Sequence, residues 1–218
     1  MNANGFEKLH GIDEMDEKQV LTLCRTAEQL TRQKLSGTIE LYRPVKVQTG
    51  RTPRQTGARR IRRTNVMKRI GILGAGTWGM ALARMLTVSG NDVLVWSAIE
   101  KEIDSLSTTR KHPNLPQMKI PDELRFTKSI EEVCKDKDIL LFAVPSVFVR
   151  STAAKARPYV ADGQIIVDVA KGIEPDTLYT MTEILADELG KEGGPKGVRL
   201  VALSGPTHAE EVAIDLPT

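Results

Sequence analysis

A glycine-rich segment, Gly74-Ala75-Gly76-Thr77-Trp78-Gly79, directly follows the short apolar run Ile70-Gly71-Ile72-Leu73. The apolar run predicts a buried strand, and the residues from Trp78 to Ser89 predict a helix that ends at Gly90. A strand, a tight glycine turn and a helix in this order open a dinucleotide-binding βαβ unit. An ordinary glycine turn between a strand and a helix remains the alternative interpretation.

The spacing of the three glycines has a physical explanation if the segment binds a pyrophosphate. Gly74 permits a turn that a Cβ atom would obstruct, and Gly76 lets the backbone approach the phosphates. Gly79 lets the helix lie close to the strand. The free N–H groups at the start of the helix then face the negative phosphates, and the helix dipole adds to the attraction.

From Met67 onward the chain alternates between predicted strands and helices. Strands are predicted over 70–73, 92–97, 125–127, 138–144, 164–169 and 198–203. Helices are predicted over 78–89, 100–110, behind Ser129 as an N-cap, and over 147–156 and 177–189. The alternation predicts a Rossmann-type α/β domain over 67–218, with a doubly wound, mostly parallel sheet and helices on both faces.

Residues 1–66 form a different kind of segment, with 13 lysines and arginines against 7 acidic residues. Between Arg43 and Arg69 there is no acidic residue and little to bury, so we expect a poorly ordered extension. One amphipathic helix is predicted over 16–35. A basic arm for nucleic acid, an acidic partner or a membrane surface is one interpretation. We favour an extension without function, because Met67 stands where the α/β domain begins, and we expect no nucleic-acid partner.

Composition narrows the remaining classes of protein. Aromatic residues are only 4% of the chain, which does not favour stacking on single-stranded nucleic acid. Cys24 and Cys134 form no disulfide framework and suit a reducing compartment. No apolar stretch is long enough for a membrane span, no signal peptide is evident, and no Cys/His cluster has zinc spacing. We therefore expect a cytoplasmic location and no metal site.

The carboxyl ends of the predicted strands collect polar residues, and in parallel sheets ligands bind beyond these ends. Lys171 could attract a phosphate or polarise a carbonyl oxygen, or be an ordinary solvated lysine. Thr207 could bind a phosphate oxygen, or cap a helix that begins at His208 in a capping box with Glu210. His208 could be a general acid or a surface residue. Ser146 is not expected to be a nucleophile, because no His or Asp that could activate it lies nearby in sequence. The proline-stiffened loop 112–116 could wall a substrate pocket.

Five sequence blocks together resemble a known family. They are Gly74-Ala-Gly-Thr-Trp-Gly-Met-Ala-Leu-Ala83, Pro113-Asn-Leu-Pro116, Val144-Pro-Ser146, Lys171-Gly-Ile-Glu174 and Leu203-Ser-Gly-Pro-Thr-His-Ala-Glu-Glu211. In this order and spacing, residues 67–218 closely resemble the bacterial NAD(P)-dependent glycerol-3-phosphate dehydrogenases. The β-hydroxyacid dehydrogenases and ketopantoate reductase share the fold but lack the Lys-Gly-Ile-Glu and Ser-Gly-Pro-Thr pair of blocks.

The resemblance implies a reaction and a set of site residues. Hydride passes from NADH or NADPH to dihydroxyacetone phosphate and gives sn-glycerol 3-phosphate for phospholipid synthesis. The implied substrate-binding residues are Lys171, Gly205 and Thr207. The implied cofactor-binding residues are Gly74, Gly76, Thr77, Trp78, Gly79, Lys171 and Ala209. Alternatives are a dinucleotide-binding module without catalysis and another oxidoreductase of the 6-phosphogluconate-dehydrogenase type.

Two departures from the family pattern affect what this chain is expected to do. The segment Ser97-Ala98-Ile99 has neither the basic residue that favours NADP nor an acidic residue for a ribose hydroxyl, so the choice between NAD and NADP stays open. The family's proton-transfer lysine lies in a helical domain beyond Thr218, so no catalytic residue is assigned. We expect this chain to bind the cofactor weakly and to turn over almost no substrate. We also expect an apolar patch at the carboxyl ends of the strands and over 213–216, and therefore a tendency to self-associate. A homodimer is one form that this association could take.

Overall fold

The computed structural model describes residues 67–205 and 207–216. The predicted disorder of 1–66, the predicted helix over 16–35 and Cys24 lie outside the described residues. Six parallel strands form one sheet in the order β3-β2-β1-β4-β5-β6. Their bounds are β1 Arg69–Leu73, β2 Asp92–Trp96, β3 Arg125–Thr127, β4 Ile139–Phe142, β5 Ile165–Asp168 and β6 Arg199–Ala202.

This strand order is that of a Rossmann-type sheet, so the predicted fold class is confirmed. The order reverses between β1 and β4, which are hydrogen-bonded neighbours although two strands separate them in sequence. Connections leave β1 and β4 towards opposite sides of this point, so a crevice opens there at the carboxyl ends of the strands. We call this edge of the sheet the carboxyl edge.

Helices cover both faces of the sheet, as predicted. Their bounds are α1 Thr77–Val88, α2 Glu100–Thr109, α3 Ile130–Cys134, α4 Val149–Ala156, α5 Met181–Leu189 and α6 Ala209–Val212. Apolar residues of α1, α2 and α6 pack in one core cluster with alternate strand residues such as Ile72 and Val95. Those of α3, α4 and α5 pack in a second cluster with the intervening residues such as Leu94 and Phe142. The nearly continuous apolar strands follow from burial on both faces.

The predicted helix over 177–189 is wrong at its start, because α5 begins only at Met181. Residues 174–180 form a closed turn instead, in which the Glu174 N–H donates to the Tyr179 carbonyl oxygen over 2.9 Å. Leu178 lies in the left-handed region with φ of 58°, which a helix cannot accommodate. Thr180 then begins α5 as the N-cap of a capping box with Glu183.

Other boundaries differ by a few residues. Strands β4, β5 and β6 are each two or three residues shorter than predicted. The predicted helix over 147–156 begins as a single 3-10 turn, Ser146–Phe148, and becomes α4 at Val149. Apolar residues beyond the strand ends, such as Val144, are buried in the core although they lie outside the paired strands. An apolar sequence pattern reports burial, so it cannot distinguish a paired strand residue from a buried residue that follows the strand.

The segment that follows α6 is attached to α1. Arg84 donates two hydrogen bonds to Asp215, of 2.7 and 2.8 Å. Ala213 is only 1% exposed and belongs to the core, so the predicted apolar patch over 213–216 is wrong at Ala213, although Leu216 is 52% exposed. In the part of the chain that the structure describes, no helix has the length and apolar character needed to cross a bilayer.

Candidate functional site at the carboxyl edge

The glycine turn connects β1 to α1 at the carboxyl edge. Gly74 has φ of +123°, and a Cβ atom there would lie 2.6 Å from backbone atoms of Ala143. A Cβ atom on Gly79 would lie 2.1 Å from the Gly74 carbonyl oxygen. A Cβ atom on Gly76 would meet nothing within 4 Å, and Gly76 itself is exposed. Two glycines are therefore required by packing, whereas Gly76 leaves open space in front of the helix.

Helix α1 begins at this open space. Gly76 is its N-cap residue, and no side chain caps the helix. Thr77 and Trp78 are its first two residues and are both partly buried, and Trp78 packs against the core cluster that contains α1. The first N–H groups of a helix lack partners within the helix, so this uncapped end can receive an anion.

The connection after β5 lies against the connection after β4. A Cβ atom on Gly172 would lie 3.1 Å from Cβ and 3.2 Å from Oγ of Ser146, and Gly172 has φ of +148°. The Val169 N–H also donates to the Phe142 carbonyl oxygen over 3.1 Å. Because Gly74 packs on Ala143 in turn, the ends of β1, β4 and β5 form one continuous wall of the crevice.

Lys171 lies at this edge and reaches towards the end of β6. Its Nζ donates a hydrogen bond of 2.9 Å to the Gly205 carbonyl oxygen. The ammonium has two further donors, and the side chain is exposed. Lys171 and Gly205, two of the substrate-binding residues that the family resemblance implies, are thus in contact, and both lie on the same edge of the sheet as Gly76.

An ion-pair cluster on the α4 and α5 side holds the segment that carries Lys171. Arg150 donates to both carboxylate oxygens of Glu174, over 2.8 and 2.7 Å, and also pairs with Asp187. Hydrogen bonds from Arg150 and then Thr177 lower the pKa of Glu174 to about 2. The Lys-Gly-Ile-Glu block therefore ends in a carboxylate that anchors the loop to two helices. Sequence reasoning missed this contact, since nothing local connects positions 150 and 174.

The residues after β6 are only partly as predicted. Helix α6 begins at Ala209 with His208 as its N-cap residue, and no side chain donates or accepts a capping bond there. The capping box of Thr207 with Glu210 is therefore absent, and that alternative for Thr207 is wrong. His208 is exposed, Thr207 is partly buried, and Ala209 packs against the core cluster of α1.

The end of β2 carries a turn whose polar groups bond to one another. The Ser97 hydroxyl donates to Glu102 over 2.5 Å and accepts the Ile99 N–H over 3.2 Å. The segment 97–99 has no acidic residue of its own, but the structure brings the Glu102 carboxylate to the tip of β2. A carboxylate near this tip is the group that recognises a ribose hydroxyl in other dinucleotide-binding domains.

The proline-stiffened loop 112–116 reaches the glycine turn through a buried histidine. His112 is 3% exposed, and its Nε2 lies 3.2 Å from the Ala75 carbonyl oxygen. The Asn114 N–H donates to Nδ1 of the same ring over 3.2 Å. The sequence pattern predicts this loop only as a wall of a substrate pocket, and no signal in it singles out His112.

One buried carboxyl group lies next to the site. Asp168, the last residue of β5, is 4% exposed and accepts the Ala170 N–H over 3.1 Å. Burial raises the pKa of Asp168 to about 6, and the hydrogen bond from Ala170 opposes that shift. An acidic residue that closes an apolar strand is the only sequence signal for this group.

Comparisons with known proteins agree with this geometry. Residues 69–218 match the family described as the N-terminus of NAD-dependent glycerol-3-phosphate dehydrogenase. A glycerol-3-phosphate dehydrogenase [NAD(P)+] of Lactobacillus delbrueckii subsp. bulgaricus is 68% identical over 152 residues, which are 70% of this chain and 45% of that protein. The corresponding protein of Agathobacter rectalis is 48% identical over 70% of this chain and 44% of its own length.

A solved structure supports the same assignment. The crystal structure of glycerol-3-phosphate dehydrogenase from Coxiella burnetii has a TM-score of 0.60 and 30% identity, and the match covers 70% of this chain and 45% of that one. The chain thus spans less than half the length of the curated relatives it matches. From the matched family model and these relatives, the resemblance deduced from the five blocks is confirmed, and the chain belongs to the NAD-dependent glycerol-3-phosphate dehydrogenase family.

Proposed function

We propose that this chain binds NAD or NADP in the crevice of the carboxyl edge and forms the cofactor-binding part of an enzyme that reduces dihydroxyacetone phosphate to sn-glycerol 3-phosphate. The observation that carries the proposal is the open space at Gly76 in front of the uncapped end of α1, in a chain of this family. A bound nicotinamide supplies the hydride.

The glycine turn suits the pyrophosphate of the cofactor. Gly76 offers its backbone N–H without a side chain in front of it, and Thr77 and Trp78 continue this surface into the first turn of α1. Gly74 and Gly79 hold the turn close to the sheet. Ala209 follows β6 at the same edge and is our candidate for a further cofactor contact.

Lys171 suits the phosphorylated substrate. Its ammonium has three N–H donors and uses one of them for the Gly205 carbonyl oxygen. It can therefore donate to a ligand while it keeps this hydrogen bond, or exchange this bond for one to the ligand. A positive charge at this place attracts a phosphate and stabilises negative charge that develops on a carbonyl oxygen. Gly205 and Thr207, which follow β6, are the proposed neighbours of the substrate phosphate.

We propose that the 218-residue chain holds the cofactor but turns over little substrate. Hydride transfer needs donor and acceptor fixed at close range, water excluded and a proton source in reach. At this edge Lys171 is exposed, and so are Val147, Phe148 and Ile173. The crevice is therefore open to water in the described residues, and a hydride acceptor would lack a closed pocket.

The test is a titration of the purified chain with NADH and NADPH, followed by tryptophan fluorescence, for the wild type and Gly76→Ala. The substitution fits the folded chain, since Gly76 has φ of −66° and free space for a Cβ atom. We expect an unchanged melting temperature and a Kd raised at least about tenfold, because the methyl group occupies the space of the phosphates. Ser105→Ala, in an exposed position of α2, is the control.

Two results would count against the proposal. Equal affinity of wild type and Gly76→Ala, or no binding by the wild type, would remove the glycine turn as the cofactor site. Rapid NADH oxidation by this chain with dihydroxyacetone phosphate would contradict the expected lack of turnover.

A further inference from the structure

The peptide group between Ala75 and Gly76 lies in the middle of the glycine turn, and one of the two torsions that orient it, φ of Gly76, belongs to a glycine. Glycine accepts backbone conformations that other residues avoid, so rotation of this peptide plane is easier here than in an ordinary turn. A contact from outside the turn must therefore fix the orientation of this peptide plane if its N–H is always to point towards a ligand.

His112 contacts this peptide group through a defined tautomer. Nδ1 accepts the Asn114 N–H, so it carries no proton, and the proton of the neutral ring is on Nε2. Nε2–H can then donate to the Ala75 carbonyl oxygen, 3.2 Å away, which can only accept. Both ring nitrogens have partners, as a ring that is 3% exposed requires.

The loop that presents His112 is itself fixed to the core. Leu115 and Met118 are 3% and 4% exposed and pack in the core cluster of α1. The Leu115 N–H donates to the His112 carbonyl oxygen over 3.1 Å, and the Met118 N–H donates to that of Leu115 over 3.0 Å. Before the loop, Arg110 donates to the carbonyl oxygens of Leu124 and Asp122. His112 thus has little freedom to follow a rotating peptide.

The consequence concerns the N–H of Gly76. In a trans peptide the carbonyl and the N–H of the same plane point in opposite directions, and the described residues contain no cis peptide. With the Ala75 carbonyl turned towards buried His112, the Gly76 N–H points the other way, towards the exposed side of the turn. That is the direction from which a pyrophosphate would approach.

We propose that His112 is a positioning residue for the cofactor: its Nε2–H holds the Ala75 carbonyl so that the Gly76 N–H faces the dinucleotide pyrophosphate. The inference rests on the proposed function, because it assumes that a dinucleotide binds at this turn. If this donor is removed, the carbonyl oxygen of Ala75, a residue that is only 1% exposed, loses its hydrogen-bond partner. We then expect the peptide to rotate, because rotation costs less free energy than a buried carbonyl without a partner.

Two substitutions of His112 test the roles of the two ring nitrogens separately. The amide nitrogen of a glutamine is as many bonds from Cα as Nε2, so His112→Gln retains the donor to Ala75. The oxygen of an asparagine is at the distance of Nδ1, so His112→Asn retains the acceptor for Asn114 and loses the donor. Both replace a buried aromatic ring with an amide, and a purely structural role would make their effects alike.

The experiment measures the Kd for NADH and the melting temperature of the wild-type chain and both variants. We expect lowered melting temperatures in both, a Kd for His112→Gln within about threefold of the wild type, and a Kd for His112→Asn raised at least about tenfold. NMR of the wild-type ring nitrogens should show the proton on Nε2. Equal affinities of the two variants, or the proton on Nδ1, would overturn the inference. Absence of binding by the wild type itself would instead overturn the proposed function, and the inference with it.

Discussion

At the scale of single residues, residues of the same type have different roles or different pKa values at this site. Gly76 and Gly79 belong to one motif, yet only Gly79 is required by packing. Glu174 and Asp168 are both acidic residues near the end of β5, yet their pKa values shift in opposite directions. Arg150 lowers that of Glu174, and burial raises that of Asp168. Residue type alone does not set these differences, because each depends on what the fold brings nearby.

The raised pKa of Asp168 makes the stability of the chain depend on pH. Folding favours the protonated carboxyl, so its contribution is complete below the usual pKa of 3.8 and is lost as the pH rises through about 6. We expect Asp168→Asn, which keeps an acceptor for Ala170, to raise the free energy of unfolding at pH 7 by up to about 3 kcal/mol relative to its effect at pH 4. Urea unfolding at a series of pH values measures this difference. A difference between variant and wild type that is constant from pH 4 to pH 8 would contradict the burial of an ionisable Asp168.

At the scale of elements, the connection between β5 and α5 decides where Lys171 lies. Arg150 of α4 fixes the loop at Glu174, and an isolated bridge between Ile173 and Thr180 closes it. The capping box of Thr180 and Glu183 then fixes the first turn of α5. The prediction that this helix starts at Thr177 failed because the helical pattern continues into residues that the loop uses for a turn.

Thr180→Ala tests the contribution of the capping box. The substitution removes the acceptor for the Glu183 N–H, so we expect a loss of about 1 kcal/mol in the free energy of unfolding. We also expect faster amide hydrogen exchange over 173–183, because the cap closes this loop. Thr108→Ala, at an exposed position of α2, is the matched control and should change stability by less than about 0.5 kcal/mol. Equal effects of the two substitutions would show that the cap has no particular role.

At the scale of the whole molecule, the carboxyl edge combines the candidate site with exposed apolar side chains. Val147 and Phe148 follow β4 and are 78% and 56% exposed, and Ile173 follows β5 and is 63% exposed. The connections that carry them touch where Gly172 meets Ser146. Grouped apolar side chains of this kind mark surfaces that associate.

We expect the chain to self-associate through this edge as its concentration rises. The double substitution Val147→Ser and Phe148→Ser should shift the association to higher concentration, as measured by light scattering. Val88→Ser is the control, because Val88 is 53% exposed at the opposite end of α1. A monomer at every concentration, or an equal effect of the control, would contradict an associating surface at the carboxyl edge.

The sequence by itself determined the order of the elements, the glycine turn and the polar residues that follow each strand. These features are local: periodicity reports burial, and glycine at fixed spacing reports close backbone approach. The tertiary structure alone decided that His112 contacts Ala75, 37 residues away, and that Arg150 contacts Glu174, 24 residues away. Such contacts arise because the strand order brings distant loops to one edge of the sheet, and no local pattern records which loops become neighbours.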